Sequence, residues 1–289
     1  MLATLKAVLR PLRGRDVSLH AAAVTFYAGI AVVPVCLLAI YVTGLVAGAD
    51  RIRRLTGLTI EALPDAIGAP RALSALIGAG LQLSPWFALA SLLPATLYGE
   101  GLRRAFVSVR SRDETMVGWR GRILWLPLLA AAPALLLAAF LALPVTSGLW
   151  IRGGWYAVGG VVLSFLACWL VLTPMVIWVY RYLAPGRPPW LATVVVGSFT
   201  AANLSGFLHG FVLFCSLPLD LGVPFGGFTE IGGMVAIGLW LYLFHVLMLV
   251  GYGATLSAGA FQQRRAEARE RAGRPPVEPA EQAHGGRHE

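Results

Sequence analysis

The chain has 289 residues, of which 57 % are hydrophobic and only 13 % are charged, with a formal net charge of +9 at pH 7. Soluble domains carry about 25 % charged residues, so this composition cannot supply a water-exposed surface. The basic excess is almost entirely arginine, and no zinc-ligand spacing, recognition-helix pattern or aromatic-interleaved basic patch accompanies it. We therefore predict one all-α membrane domain and no nucleic-acid partner.

The chain begins with a basic segment, residues 1–19, in which Leu2, Leu5, Leu9 and Leu12 recur near helical spacing. A basic amphipathic segment of this kind is typical of a helix that lies on the inner membrane surface. No small-residue cleavage site separates it from the apolar run that follows. We expect the first span to be retained rather than removed as a signal peptide.

Six apolar stretches follow, and each is long enough to cross the hydrocarbon core, which takes roughly 20 residues of helix. They lie at about 20–48, 85–107, 123–147, 156–182, 191–217 and 230–262. The last contains no Asp, Glu, Lys or Arg from Gly232 to Ala260 and stops at Arg264. Prolines predict a kink in the first span and breaks in the third, at Pro34, Pro127, Pro133 and Pro144.

Two of the segments outside these spans have further predicted features. Residues 50–83 alternate apolar and charged side chains at helical spacing, which predicts one or two amphipathic helices in the first extracytoplasmic loop, broken at Pro64 and Pro70. The tail, 263–289, is too poor in apolar residues to bury a core and is predicted to be disordered in the cytoplasm. The six-helix membrane domain then covers 20–262.

The arginines and the single lysine fix the predicted orientation. With both termini in the cytoplasm, 18 of the 23 cations lie inside and five outside. The opposite orientation would reverse that ratio, against the excess of Lys and Arg found in cytoplasmic loops. We therefore predict six transmembrane helices with both ends in the cytoplasm.

The second predicted span ends in charged residues, which cost at least roughly 2.5 kcal/mol each at the centre of a membrane helix. Glu100 and Arg104 are four residues apart and can pair on one helix face, beside Arg103. One interpretation is a polar gate or head-group site at the inner mouth. The other is an interfacial ion pair that anchors the helix end, with the arginines reaching lipid phosphates.

Polar residues of the fifth and sixth spans are the remaining candidates for a polar lining or ligand site. Asn203 and His209 accompany a GxxxG pattern in span five, which favours helix packing over ligand binding. Glu230 and His245 fall within about 60° of one face of span six, and His245 suits either proton transfer or a structural hydrogen bond. No metal-ligand set, catalytic nucleophile or nucleotide-binding loop is evident, so we expect no enzyme, no cofactor and no ATP-driven pump.

Three sequence elements occur in order along the spans. They are Ala21-Ala22-Ala23 with Phe26-Tyr27 and Pro34; Tyr180-Arg181-Tyr182 with Pro185, Pro189-Trp190 and Gly197; and Leu239-Trp240-Leu241-Tyr242 with Gly253-Ala254-Thr255-Leu256. Together they resemble the BrkB/YihY family of bacterial inner-membrane proteins over about residues 16–262, and this resemblance implies a six-helix membrane fold. Thr255 stands where the family usually has an acid, and Ala31 where it often has serine.

Members of that family carry labels that range from virulence factor to ribonuclease BN, but no ligand cluster or acid–base pair here supports a ribonuclease. The proline-rich spans, their polar groups and the arginine-rich inner rim favour transport or flipping of a lipid or small solute, with membrane lipids, including anionic ones, as partners. The alternative is a non-transporting scaffold that binds envelope proteins in cell-envelope assembly or serum resistance. A cavity lined by Glu100, Asn203, His209 and His245 would favour transport, and sealed helix contacts would favour the scaffold.

Overall fold

The computed structural model of the protein describes residues 16–61, 69–110, 115–217 and 219–272. All regular structure in these ranges is helical, which confirms the predicted all-α class. The helices, in chain order, are α1 (Val17–Ala47), α2 (Ala49–Glu61), α3 (Ala69–Leu81), α4 (Pro85–Arg110), α5 (Val117–Ile151), α6 (Gly154–Trp178), α7 (Trp190–Ser216) and α8 (Thr229–Ala272). A π-helical turn, Val179–Leu183, prolongs α6, and a 3-10 turn, Val223–Phe225, precedes α8.

Five helices are long and apolar enough to cross a membrane, namely α1, α5, α6, α7 and α8. The chain is therefore a multi-pass membrane protein. α4, predicted as the second of six spans, is not among the five, since Glu100, Arg103 and Arg104 make its second half too polar. It nevertheless packs against α1 and α5, and its side chains Leu102 and Phe106 are fully buried there.

α4 and α5 cross at Gly99 and Gly121, where neither helix leaves room for a side chain on the other. A side-chain carbon on Gly121 would lie 2.5 Å from the carbonyl oxygen of Gly99, and one on Gly99 would lie 2.3 Å from Cβ of Trp125. Carbon atoms do not come that close, so this crossing requires glycine at both positions. Helices in a bilayer are held together largely by such close van der Waals packing, because lipid is as apolar as the helices.

α6 is the least buried of the five candidate spans, with only 11 % of its most apolar window inside the protein. Val161, Val162, Leu166 and Leu170 all project outward from it. An exposed apolar surface of this length is stable in hydrocarbon and would aggregate in water. α6 therefore forms a lipid-facing edge of the bundle.

The prediction that prolines break the third span is wrong, because α5 runs without interruption through Pro127, Pro133 and Pro144. Unwinding a helix in hydrocarbon exposes several backbone polar groups, each at a cost of several kcal/mol, whereas a proline removes a single hydrogen bond. Beside Pro133, the hydroxyl of Thr43 on α1 donates to the carbonyl of Ala39 at 2.6 Å and lies 3.1 Å from the carbonyl oxygen of Pro133, so α1 and α5 are in contact there.

The stretch predicted as one or two amphipathic helices forms two, α2 and α3. Pro70 lies in the first turn of α3, where its missing N–H would have no helical partner in any case, and Pro64 falls outside the described residues. The two helices pack on α1 and α5 through one buried apolar cluster, formed by Ile40, Ile52, Ile77 and Phe140.

α8 continues to Ala272, beyond the predicted end of the sixth span at 262. The added turns are rich in Ala, Glu, Arg and Gln, which are strong helix formers, and their side chains are exposed where they are described. The remainder of the predicted tail, 273–289, and residues 1–15 of the predicted basic segment lie outside the described residues.

One end of the bundle gathers the start of α1, the end of α4, the start of α5, the connector between α6 and α7, and the last part of α8. We call it the arginine end, after Arg103, Arg104, Arg110, Arg120, Arg122, Arg181 and Arg187. The hydroxyl of Ser108 on α4 lies 2.5 Å from Nε2 of His20 on α1. Asp16 caps α1 there, and hydrogen bonds from the Ser18 hydroxyl and the Leu19 N–H lower the pKa of its carboxyl.

Candidate functional site

Glu100 lies where α4 meets α5 near the arginine end, with only 7 % of the residue exposed. Its Oε1 accepts hydrogen bonds from Nε and Nη2 of Arg104, at 3.0 and 2.7 Å, one helical turn further along. Its Oε2 accepts a hydrogen bond from Nε of Arg122 on α5 at 2.7 Å. The Glu100–Arg104 pair suggested by the spacing is thus present, and Arg122 joins it to form what we call the Glu100 cluster. One carboxylate between two guanidiniums leaves the cluster with a net positive charge.

The Glu100 cluster lines a cavity of about 530 Å³ beside the start of α5. Trp119 forms part of its wall, and the guanidinium carbon of Arg122 lies 5.7 Å from the centre of that ring. Gly118 keeps the carboxylate accessible, because a side-chain carbon there would lie 2.8 Å from Oε1 of Glu100. Charges of both signs beside an aromatic wall suit a polar head group.

Arg103 does not join the Glu100 cluster. It is 6 % exposed, and its Nη1 donates to the carbonyl of Leu183 at 2.5 Å, at the end of the π-helical turn. Two further bonds hold the same connector, since the carbonyl of Pro185 accepts from Nη1 of Arg110 at 3.0 Å and from the hydroxyl of Tyr252 on α8. α4 and α8 are therefore tied to the connector between α6 and α7.

His245 of α8 is 1 % exposed and bridges α1 and α4. Its Nε2 lies 2.9 Å from the hydroxyl of Tyr98, and its Nδ1 lies 3.1 Å from the hydroxyl of Thr25. The Thr25 hydroxyl donates to the carbonyl of Ala21 at 2.8 Å, so it accepts from Nδ1–H, and Tyr98 donates to Nε2. This assigns a neutral imidazole with its proton on Nδ1. The geometry fits the structural alternative for His245, and its role in proton transfer stays a prediction.

Asn203 and His209 lie on different sides of α7. Asn203 is exposed, and its Nδ2 donates to the carbonyl of Phe199 on the same helix at 2.8 Å. His209 is partly buried, with Nε2 2.9 Å from the hydroxyl of Ser164 on α6 and Nδ1 2.8 Å from the carbonyl of Ser205. His209 therefore fastens α7 to α6, as expected for a packing role.

Glu230 is exposed in the first turn of α8, about 22 Å along the helix axis from His245 at 1.5 Å per residue. Thr255, at the position where the family resemblance leads us to expect an acid, is fully buried, and its hydroxyl donates to the carbonyl of Gly251 at 2.9 Å. Of the residues singled out from the sequence, Glu100 and Arg104 share a cavity, and its described lining includes none of Arg103, Asn203, His209, Glu230 and His245.

The residues that sequence reasoning missed are the partners on other helices: Arg122 for Glu100, and Thr25 and Tyr98 for His245. Arg122 lies just before the predicted third span, 123–147, because the apolar run begins only at Ile123, whereas α5 already starts at Val117. Basic residues in the first turns of α5 lower the hydropathy there, so the apolar pattern does not show where the helix begins. Within the described ranges, no group of three or more His, Cys, Asp or Glu side chains is placed to hold a metal ion.

Comparison with known proteins supplies one match. The sequence model of the family described as Virulence factor BrkB matches residues 8–278, which is nearly the whole chain. No curated protein and no solved structure shows significant similarity. The resemblance carried by the three sequence elements is therefore confirmed.

Proposed function

Because the chain belongs to the Virulence factor BrkB family, we propose that it transports or flips a lipid or small polar solute across the bacterial cytoplasmic membrane without ATP. The observation that carries this proposal is the cavity lined by the Glu100 cluster, where side chains of both charges face a space of head-group size at one end of an apolar bundle. In this proposal the protein uses no cofactor and catalyses no covalent step.

The Glu100 cluster contains an enclosed pair, Glu100–Arg122, whose side chains are 10 % and 27 % exposed, and a more exposed arginine, Arg104, and it is the exposed member that supports a ligand role. Arg104 keeps 55 % of its side chain exposed, and an ion pair with so exposed a partner contributes only about 0–1 kcal/mol to stability. A cluster kept open by Gly118, with its arginine extended into a cavity, is better explained by recognition of a polar group.

The proposal includes six spans with both termini in the cytoplasm, and therefore counts α4 as a span shielded by α1 and α5. The arginine end then faces the cytoplasm, as the distribution of cations requires. We expect green fluorescent protein fused after Ala272 to fluoresce, and alkaline phosphatase fused after Ser84 or Arg152 to be active. Active phosphatase after Ala272 would contradict this topology.

Transport is tested in vesicles that contain the purified protein and a fluorescent phospholipid in both leaflets. Dithionite added outside should bleach nearly all of the probe when the wild type is present, and only the outer half without protein. Glu100→Gln removes the charge that holds Arg104 and Arg122, and we expect it to slow flipping about tenfold or more, the effect of losing one charge-assisted hydrogen bond. Uptake of soluble solutes into the same vesicles tests the alternative in which the transported substrate is a small polar solute.

Asp50→Asn provides the matched control. Asp50 pairs with Arg53 at 3.2 Å on the exposed surface of α2, so the same chemical change is made away from the cavity. This variant should flip lipid at the wild-type rate. If Glu100→Gln flips lipid at the wild-type rate, the Glu100 cluster is not part of the transport mechanism. If vesicles that contain the wild-type protein neither flip lipid nor take up solute, the transport proposal itself is wrong.

The scaffold alternative is favoured by two observations, the first being that Glu100 is the one residue of Glu100, Asn203, His209 and His245 in the described lining of the Glu100 cavity. The Thr25, Tyr98 and His245 side chains satisfy one another between α1, α4 and α8, and the described lining of the Glu100 cavity includes none of them. A tightly packed interior of this kind suits a protein that holds envelope partners in place. Vesicles inactive in both transport assays, together with stoichiometric recovery of one envelope protein after crosslinking in cells, would favour this function.

A further inference from the structure

α7 carries an amide side chain on its exposed surface. The helix runs from Trp190 to Ser216, so Asn203 lies thirteen residues from either end. At 1.5 Å per residue each half is roughly 20 Å long, whereas the hydrocarbon core of a bilayer is about 30 Å thick in total. Asn203 is exposed, and α7 is one of the five candidate spans. Its amide therefore faces lipid near the middle of the bilayer.

The Asn203 amide lacks partners for part of its hydrogen-bonding capacity. An amide offers two N–H donors and a carbonyl oxygen. Its Nδ2 donates to the carbonyl of Phe199 at 2.8 Å, and within the described ranges this is the only hydrogen bond of the side chain. No water in the hydrocarbon binds the second N–H or Oδ1, so leaving them unpaired costs free energy. The hydroxyls nearest in sequence on α7, of Thr200 and Ser205, are buried and already donate to backbone carbonyls of the protein.

Asn203 belongs to a continuous exposed face of α7, which we call the Asn203 face. At 100° per residue its members fall within about 120° of one another around the helix. They are Leu191, Val195, Phe199, Asn203, Gly206 and Leu213, and all six are exposed. The four large apolar members are 59–70 % exposed. Because the amide is the one polar side chain among these six, the face does not form a polar path for a head group and is better suited to contact with another helix.

Gly206 opens the Asn203 face to close approach by another helix. Among the described residues, a side-chain carbon at Gly206 would meet only Phe165 within 4 Å, at the ordinary contact distance of 3.7 Å. In contrast to Gly99 and Gly121, the fold of a single chain therefore does not require glycine here. Gly206 lies three residues from Asn203 on the same face, and glycines in membrane spans let two helix backbones pack closely. The glycine and the amide thus indicate the same contact surface independently.

We propose that the Asn203 face binds the same face of a second copy of the chain, with the two Asn203 amides hydrogen-bonded to each other. Copies of one chain insert into the membrane in the same direction, so the twofold axis of such a dimer lies along the membrane normal. Each residue near that axis then meets its own counterpart at the same depth. An amide both donates and accepts, so the second N–H of each Asn203 donates to Oδ1 of the other. Both groups that one chain leaves unpaired are satisfied in the pair.

The chemistry of the Asn203 face favours a second copy over a different protein. A second copy always brings an amide to the required depth, whereas another protein would need its own polar group near the middle of the bilayer. None of the six members is charged, so the face does not select a charged partner. A surface that pairs with itself is what a twofold dimer requires. Dimerisation through this face is independent of whether the protein transports lipid.

Dimerisation is tested with full-length protein that carries donor or acceptor dyes at its C-terminus, reconstituted together in lipid vesicles at decreasing protein density. We expect energy transfer between wild-type copies to persist on dilution and to define a dissociation constant in the membrane. Asn203→Val removes the amide and should raise this constant about tenfold, the effect of a hydrogen bond between membrane helices. Gly206→Leu should raise it at least as much, because the added side chain separates the two backbones. Asn203→Gln keeps the amide and should have a smaller effect.

Two matched controls make the same kinds of change away from the Asn203 face. Ser216→Ala removes a polar group from an exposed position at the end of α7, where the hydroxyl donates to the carbonyl of Val212 at 2.8 Å. Gly159→Leu adds a side chain at an exposed glycine of α6. Both should dimerise as the wild type does. Because Asn203 and Gly206 are exposed, their variants should keep the melting temperature of the dilute protein, which separates loss of the dimer from loss of folding.

The position of the interface is tested by oxidative crosslinking in membranes, after the native cysteines Cys36, Cys168 and Cys215 have been replaced by alanine. With copper phenanthroline as the oxidant, Phe199→Cys should form a disulfide between two copies. Leu170→Cys, on the lipid-facing side of α6, should not form one.

Three results would overturn the dimer. Wild-type protein that shows no energy transfer at any density is monomeric, and the proposal is then wrong. Equal dissociation constants for the wild type, Asn203→Val and Gly206→Leu would place the interface on another surface. A disulfide from Phe199→Cys to a different envelope protein, in place of a second copy, would show that another partner occupies the Asn203 face.

Discussion

Replacement of Gly121 by leucine is expected to destabilise the protein strongly. Overpacking costs typically about 1–3 kcal/mol when neighbouring side chains can adjust. Here the obstacles are the Gly99 carbonyl oxygen at 2.5 Å and the Glu100 Cα at 2.8 Å, and both belong to a backbone. We therefore expect the upper end of that range or more, and a fall of about 10 °C in melting temperature.

The measurement is the melting temperature of the protein in detergent. It is obtained by heating samples and quantifying the folded protein that remains by size-exclusion chromatography with fluorescence detection. The same substitution should also separate Arg122 from Glu100, because the two residues lie on either side of this crossing. Gly121→Leu is therefore expected to lose lipid flipping at temperatures where the protein is still folded. Gly121→Ala introduces only the first carbon of the side chain and should have a smaller effect of the same sign.

Gly159→Leu is the matched control, because Gly159 lies on the exposed surface of α6 with nothing within 4 Å of the position of a side-chain carbon. We expect its melting temperature to stay within about 2 °C of the wild type, since isolated surface substitutions change stability by about 0.5 kcal/mol or less. Equal losses at Gly121 and Gly159 would show that α4 and α5 do not cross at Gly99.

The apolar spans could be predicted because the bilayer imposes one length and one composition on them. The predicted fourth and fifth spans, 156–182 and 191–217, agree with α6 with its π-helical turn and with α7 to within a few residues, whereas α4, at the predicted second span, is a helix that is not among the five candidate spans. Errors occur where helices leave the apolar region, since α5 starts early among basic residues and α8 ends late among charged helix formers. Hydropathy locates the part of a helix that lies in lipid and does not detect its polar ends.

The candidate site was less predictable than the fold. Helical spacing places Glu100 and Arg104 on one face, and the structure pairs them. Helical spacing gives no information about which helix lies opposite, so neither the Glu100–Arg122 bond nor the Tyr98–His245 bond could be inferred. Both depend on the order in which the helices pack. That order is set in part by glycines, such as Gly99, whose role becomes visible only at the crossing.

His245→Ala is the second substitution with a large expected effect. It leaves the hydroxyls of Tyr98 and Thr25 without their imidazole partner and creates a cavity where a 1 % exposed side chain was. Removing a large buried side chain costs about 2–4 kcal/mol, and the unsatisfied hydroxyls add to that loss. We expect the melting temperature to fall by about 5–10 °C, measured as for Gly121→Leu.

A double-mutant cycle with Tyr98→Phe isolates the hydrogen bond within that loss. Hydrogen bonds between membrane helices have measured coupling energies near 0.6 kcal/mol, with values up to about 1.7 kcal/mol. The Tyr98–His245 coupling should lie in that range, because the contact is 2.9 Å long and His245 is buried. Tyr156→Phe, at an exposed position on α6, is the control and should leave stability unchanged.

The structural and proton-transfer hypotheses for His245 differ in what the folded variants can still do. If His245 only joins α1, α4 and α8, the activity of His245→Gln should fall in proportion to its folded fraction, and any dependence of transport on a proton gradient should persist. If His245 carries a proton, the folded variant should lose that dependence, since glutamine does not titrate.

The hydrogen bonds at both ring nitrogens support the first outcome, because they leave neither nitrogen facing a water-filled path. Loss of gradient dependence in a variant of normal stability would contradict this assignment and make His245 part of the transport route.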